Sequence, residues 1–245
     1  MEKRKRKRKR LILILVVFVL LIAVGTGLYL LDYYHASETA MSELNHPTVG
    51  VEIIRADDKI IFEPESAQVG LIFYPGGKVA FESYAPLLES CAENGILCVL
   101  LQMPGNLAVL DQNAADGIQE KFPQIKSWYL AGHSLGGTIA AMYLGDHADA
   151  YDGLILLASY STADLTATGA RVLSIYGSMD GVMNREKYEQ CKNNLPSDFK
   201  EVIIEGGCHA YFGSYGEQDG DGKPTISPEE QQRRTVEEIT NYIAP

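Results

Sequence analysis

Ser127-Trp128-Tyr129-Leu130-Ala131-Gly132-His133-Ser134-Leu135-Gly136-Gly137-Thr138-Ile139-Ala140-Ala141 decides how the rest of this 245-residue chain is read. Ser127 to Ala131 is a short apolar run that reads as a buried strand. Leu135 to His147 carries apolar residues at helical spacing. Between them stands Gly132-His133-Ser134-Leu135-Gly136, a Gly-x-Ser-x-Gly pattern. That spacing suits a tight strand-to-helix turn in which a serine holds a strained backbone conformation and the flanking glycines remove side-chain clashes. Ser134 is the candidate nucleophile. The helix N-terminus beside it favours negative charge developing on a bound oxygen.

Outward from this turn, strands and helices alternate. Val69 to Tyr74, Ile96 to Met103, Gly153 to Ser159, Arg171 to Tyr176 and Glu201 to Ile204 read as strands. Tyr84 to Glu93, Ala108 to Phe122, Arg185 to Asn194 and Ser227 to Ile243 read as helices, the last with Ser227 as N-cap and Glu230 three residues on. Thr48 to Arg55 and Lys59 to Glu63 suggest a hairpin around Asp57-Asp58. Alternation of this kind predicts an α/β fold, a mainly parallel central sheet with helices on both faces. Ligands in such folds bind beyond the carboxyl ends of the strands.

A serine hydroxyl needs a base, and the base needs an orienting acid. Of the five histidines, His209 follows the last strand in Glu205-Gly206-Gly207-Cys208-His209, where a Gly-bearing loop can bring an imidazole to Ser134. Asp180, just past the strand Arg171 to Tyr176, is the candidate acid, with Asp164 as its rival; Asp152 precedes its strand and falls at the wrong end of the sheet. Two backbone N–H groups must face the developing oxyanion. Leu135 supplies one, and the Pro75-Gly76-Gly77-Lys78 loop supplies the other, through Gly77 first and Lys78 second. Lys78, Tyr211 and Phe212 are candidates for the pocket wall, with core packing the competing role for the aromatics.

From about Val69 to Tyr242 the chain resembles the α/β-hydrolase superfamily. FYPGGKV, GHSLGG, YGSMDGV and GGCHAYFGSYG together resemble its compact bacterial group, α/β-hydrolase family 5. The resemblance implies a hydrolase fold with little or no cap domain and a triad falling on Ser134, Asp180 and His209. In that group an Asn commonly stands where this chain has Cys208, which leaves the triad intact but puts a thiol beside the histidine. The implied chemistry is acyl transfer on a small-molecule ester, needing no cofactor. Lipase, thioesterase or peptidase action on the same triad is the enzymatic alternative. A non-catalytic binding module tethered to a membrane is the rival from another class.

The net charge of −11 conceals an asymmetry: Glu2 to Arg10 holds eight Lys/Arg and one Glu, or +7, leaving −18 elsewhere. So acidic a body argues against nucleic acid as a partner. Leu11 to Leu31 has 21 residues and no charge; as a helix it spans about 31 Å, a bilayer's hydrocarbon core. The expected organisation is a basic cytoplasmic segment (1–10), a membrane anchor (11–31), a linker (32–47) and an extracytoplasmic hydrolase domain (48–245). A cleaved signal peptide competes with the anchor, but this apolar run exceeds a signal core of roughly 7–15 residues. Cys91, Cys98, Cys191 and Cys208 show no zinc-site spacing and fit either disulfides or buried thiols. Glu217 to Gly222 has the acidic spacing that opens a calcium loop, but Pro228 stands where the bidentate Glu belongs, so a solvated acidic turn is favoured and no metal is expected. The sequence leaves the oligomeric state open.

Overall fold

The computed structural model describes residues 2–243. The chain divides between Tyr33 and Tyr34 into two compact units. The first holds one helix, α1 (Glu2–Leu31), long and apolar enough over Arg6–Leu31 to cross a membrane, as a signal sequence near an N-terminus also is.

The second unit is built on eight strands: β1 (Val51–Ala56), β2 (Lys59–Pro64), β3 (Val69–Tyr74), β4 (Ile96–Leu101), β5 (Ser127–His133), β6 (Gly153–Leu157), β7 (Arg171–Gly177) and β8 (Lys200–Ile204). Their order in the sheet is β1-β2-β4-β3-β5-β6-β7-β8. β1 and β2 form the antiparallel hairpin and β2 joins β4 antiparallel; β4, β3, β5, β6, β7 and β8 run parallel. The helices are α2 (Glu38–Asn45), α3 (Ala85–Glu93), α4 (Leu135–Asp146), α5 (Arg185–Cys191) and α6 (Pro228–Ile243). Side chains of a strand point alternately to its two faces. In β3, Leu71 and Phe73 therefore pack with Leu87 and Leu88 of α3 and Val236 and Ile239 of α6. Ile72 and Tyr74 pack with Ile139 and Ala140 of α4 on the opposite face. A strand enclosed on both sides must be apolar throughout, which is why VGLIFY, ILCVLL and GLILL show no clean alternation. Each Leu, Ile or Phe so enclosed contributes about 1.5–3 kcal/mol.

Two stretches differ from their sequence reading. Residues 108–122 form no α-helix, only short 3-10 turns at Ala108–Leu110 and Gln119–Lys121. Within this stretch Gly117 takes a positive φ of 69°, and such a residue interrupts helical backbone. The expected linker belongs in large part to the body. Tyr34 pairs with Val79, and Ser37 caps α2, its Oγ accepting the Ala40 N–H at 3.2 Å. α2 buries only Ala40 and Leu44, one i, i+4 pair, too little periodicity to announce a helix. An isolated helix that short is unstable, so docking on the body is what holds it.

The parallel register aligns the strand ends. Tyr74 pairs with Gly132, His133 with Leu157, and Gly177 with Ile204. The segments that follow these residues, carrying Gly77, Ser134, Asp180 and His209, thus emerge from one edge of the sheet. Between β6 and β7, residues 158–170 hold no helix, so no cap is inserted there.

Candidate active site

Ser134 sits between β5 and α4 with φ 52° and ψ −122°, a conformation that strains any residue with a Cβ. Its surroundings impose it. The Ser134 N–H donates to Leu157 O at 2.9 Å, and Ser159 Oγ donates to Ser134 O at 2.6 Å. A Cβ on Gly132 would lie 2.5 Å from Gly136 backbone, and one on Gly136 would collide with the carbonyl oxygens of Tyr74 and Pro75. The pattern's glycines are therefore dictated by backbone meeting backbone. Ser159 was not anticipated; it follows β6 by two residues and carries no motif.

His209 and Asp180 meet as the sequence suggested. His209 Nδ1 lies 2.9 Å from Asp180 Oδ2, with the two side chains 2% and 0% exposed. A carboxylate only accepts, so Nδ1 donates in this bond, and Nε2 is the ring nitrogen left to face away from Asp180. Asp180 Oδ1 accepts the amides of Val182 and Met183 at 2.9 and 2.8 Å, fixing the carboxylate within its own turn. Asp164 instead accepts from Thr166, with no link to His209, and Asp152 binds Ser127 and Trp128 at the other end of the sheet.

Asp221 is the acidic residue that sequence reasoning misplaced. Its Oδ1 accepts the amides of Gly181 (3.0 Å), His209 (3.2 Å) and Gly222 (2.8 Å), and its Oδ2 accepts that of Ala210 (2.9 Å). Burial pushes its pKa up, but these donors outweigh burial and hold it below the ordinary carboxylate value. Its oxygens face N–H groups, which leaves the calcium-loop reading without its third ligand. Among the described residues no cluster of His, Cys, Asp or Glu is arranged to hold a metal. Asp221 ties the Asp180 turn to the His209 loop. Its only signal in the sequence was an acidic run that suggested something else.

A second unanticipated network lies beneath. His133, buried, places Nε2 3.1 Å from His209 O. A carbonyl only accepts, so Nε2 carries the proton and Nδ1 accepts from Tyr84 Oη at 2.8 Å. The Tyr84 oxygen in turn accepts the Gly76 N–H at 3.0 Å. Burial, and then the neighbouring His209, hold the His133 pKa well below its usual value, so the ring stays neutral as this network requires. The Gly76 loop, the serine turn and the His209 loop are thereby joined through two side chains.

The same bonds sort the amides of residues 75–78. Pro75 has no N–H, Gly76 donates to Tyr84, and Lys78, at φ 59°, donates to Asn106 O at 2.8 Å. Among the described residues, no acceptor faces the Gly77 amide. A Cβ on Gly77 would lie 2.9 Å from Leu135 Cδ2, so this glycine and the residue after Ser134 are close neighbours. The Leu135 N–H, in the first turn of α4, has no intrahelical acceptor.

The pocket expectations fare differently. Phe212 is fully buried, its ring 5.7 Å from that of His133, and belongs to the core beneath the site. Tyr211 lines a cavity of about 410 Å³ among α2, α3 and α6, whose walls include none of Ser134, Asp180 or His209. Both aromatics lie in a 3-10 turn, Ala210–Phe212, that starts at the residue after His209. All four cysteines are free and buried. Burial pushes the Cys208 thiol up to about 12, so it is no thiolate beside the histidine.

A family model described as "Alpha/beta hydrolase family" matches residues 70–233. No curated protein matches the sequence. Among solved structures, Est1E from Butyrivibrio proteoclasticus is similar with a TM-score of 0.57 at 16% identity, over 80% of this chain and all of that one. A monoacylglycerol lipase from Paleococcus ferrophilus gives 0.58 at 14%, over 78% and 99%. A thermostable esterase from Pseudomonas putida gives 0.57 at 14%, over 84% and 89%. At these identities the likeness is one of fold.

Proposed function

The chain belongs to the alpha/beta hydrolase family, and on that footing we propose that it is a serine hydrolase of carboxylic esters, working through Ser134, His209 and Asp180. The observation that carries this reading is the Nδ1-protonated His209, held by a dry Asp180 at the same sheet edge as a strained Ser134. His209 Nε2 takes the hydroxyl proton as Ser134 Oγ attacks the ester carbonyl carbon. The tetrahedral oxyanion is received by the amides of Leu135 and Gly77. The intermediate collapses with proton transfer from His209 to the departing alkoxide, leaving an acyl-serine and an alcohol. Water, deprotonated by the same Nε2, then releases the carboxylic acid and restores Ser134. Asp180 holds the His209 ring in place and stabilises the imidazolium. The esterase and lipase among the similar folds agree with this substrate class.

The proposal includes location. Residues 11–31 serve as an uncleaved membrane anchor, with the basic residues 2–10 on the cytoplasmic side and the body outside. Turnover of p-nitrophenyl acetate by the full-length protein, abolished in Ser134→Ala, supports the enzymatic reading; equal turnover by both proteins defeats it. Protease digestion of the body only from the cytoplasmic side of sealed vesicles contradicts the topology.

A further inference from the structure

The chain joins the body at Tyr34, and Tyr34 is bound to the rim of the candidate site. Its N–H donates to Lys78 O at 2.8 Å and its carbonyl accepts the Ala80 N–H at 2.8 Å, next to Gly77. Its hydroxyl accepts the Asp219 N–H at 3.1 Å, and its ring lies 5.5 Å from that of Tyr215. One residue thus touches both the loop bearing Gly77 and the segment following His209. Tyr34 comes three residues after the apolar run ends at Leu31. Three Cα steps cover at most about 11 Å of chain.

The same rim carries exposed apolar surface. Leu107 Cδ2 lies 3.8 Å from where a Gly77 Cβ would stand, and the turn that follows exposes Val109 (48%) and Leu110 (59%) while packing against α4, the helix that starts after Ser134. Single exposed hydrophobics need no explanation. Here two adjacent ones continue from a leucine in contact with the loop of the candidate oxyanion amide.

We propose that the substrate of this site is an amphiphilic acyl ester resident in the membrane that holds residues 11–31, with its acyl chain along Leu107, Val109 and Leu110. The inference rests on the serine-hydrolase reading and specifies its substrate. A tether that joins the body at the rim of the site keeps that rim within reach of surface-confined molecules. The apolar turn gives a long acyl chain a place out of water, where burial is worth roughly 0.8 kcal/mol per CH₂. A short, soluble ester needs neither feature.

The test uses the full-length protein in phosphatidylcholine vesicles carrying a long-chain diacylglycerol, with p-nitrophenyl acetate in solution as the second substrate. Inserting about 20 Gly/Ser residues after Leu31 adds a flexible span of roughly 25 Å. It is expected to lower diacylglycerol turnover roughly tenfold through the fall in effective concentration, leaving acetate turnover unchanged. Val109→Asp with Leu110→Asp is expected to raise the KM for diacylglycerol several-fold. Hydrolysis of the soluble ester without the embedded one overturns this inference and leaves the serine-hydrolase reading standing. So does diacylglycerol turnover that ignores tether length. Failure to hydrolyse either ester overturns both.

Discussion

Two aspartate turns meet at His209 and do opposite work. The Asp180 turn presents one carboxylate oxygen to a ring N–H and spends the other on two amides of its own turn. The Asp221 turn presents both oxygens to backbone, taking amides from Gly181, His209, Ala210 and Gly222. One orients a ring; the other sets where two loops lie. The difference teaches that a carboxylate within 3.2 Å of the His209 residue is not thereby part of its chemistry. What matters is which atom it faces.

The sharpest way to break this comparison is exchange of each acid for its amide. Asp180→Asn retains shape but favours the wrong histidine tautomer, so kcat is expected to fall by about 10⁴ with little change in KM. Asp221→Asn keeps one accepting oxygen but turns an NH₂ toward the backbone, so its main effect is expected on folding, a loss of about 1–3 kcal/mol in urea denaturation. If Asp221→Asn costs as much activity as Asp180→Asn with no loss of stability, the division of labour is wrong.

Acidity sharpens the same contrast. Asp221 has a folded pKa below its unfolded value, so its contribution to stability is fully present above the ordinary carboxylate value of about 3.9. That contribution is lost as pH falls through the lowered folded value. The stability of Asp221→Asn, followed by thermal melting, should therefore fall less steeply across this acid range than that of the native protein. Tyr84→Phe comes next in size. It strips partners from the Gly76 amide and His133 Nδ1, both buried, and is expected to cost about 1–3 kcal/mol in stability. Smallest is Cys208→Ala. With its thiol pushed up to about 12 and buried, its removal should leave the pH profile of ester turnover unchanged.

What the sequence disclosed follows the same division. The positions of Ser134 and Asp180 just past strand ends were legible from the apolar runs of β5 and β7, and that of Ser134 also from the glycines a tight turn forces around it; His209 was legible as the histidine that follows the last strand. The parallel sheet was legible from strands too apolar to have an exposed face. Asp221 and the Tyr84–His133 pair were not, since their partners are backbone atoms up to 76 residues away and backbone atoms leave no composition signal. Residues 32–47 read as a linker because one buried pair, Ala40 and Leu44, is all that the helix within them contributes to the core. Residues 108–122 misled in the other direction. Ala108, Ala115 and Ile118 are buried there at spacings a helix also gives, but the positive φ of Gly117 breaks helical backbone between Ala115 and Ile118.

The central claim is that Ser134 is a nucleophile activated by His209. Its most direct test is reaction of the folded full-length protein with a fluorophosphonate probe, followed by peptide mapping of the adduct. The account predicts one phosphonyl group, on Ser134, with labelling slowed strongly in Asp180→Asn and absent in Ser134→Ala. Labelling elsewhere, or none on Ser134 in the folded protein, contradicts it.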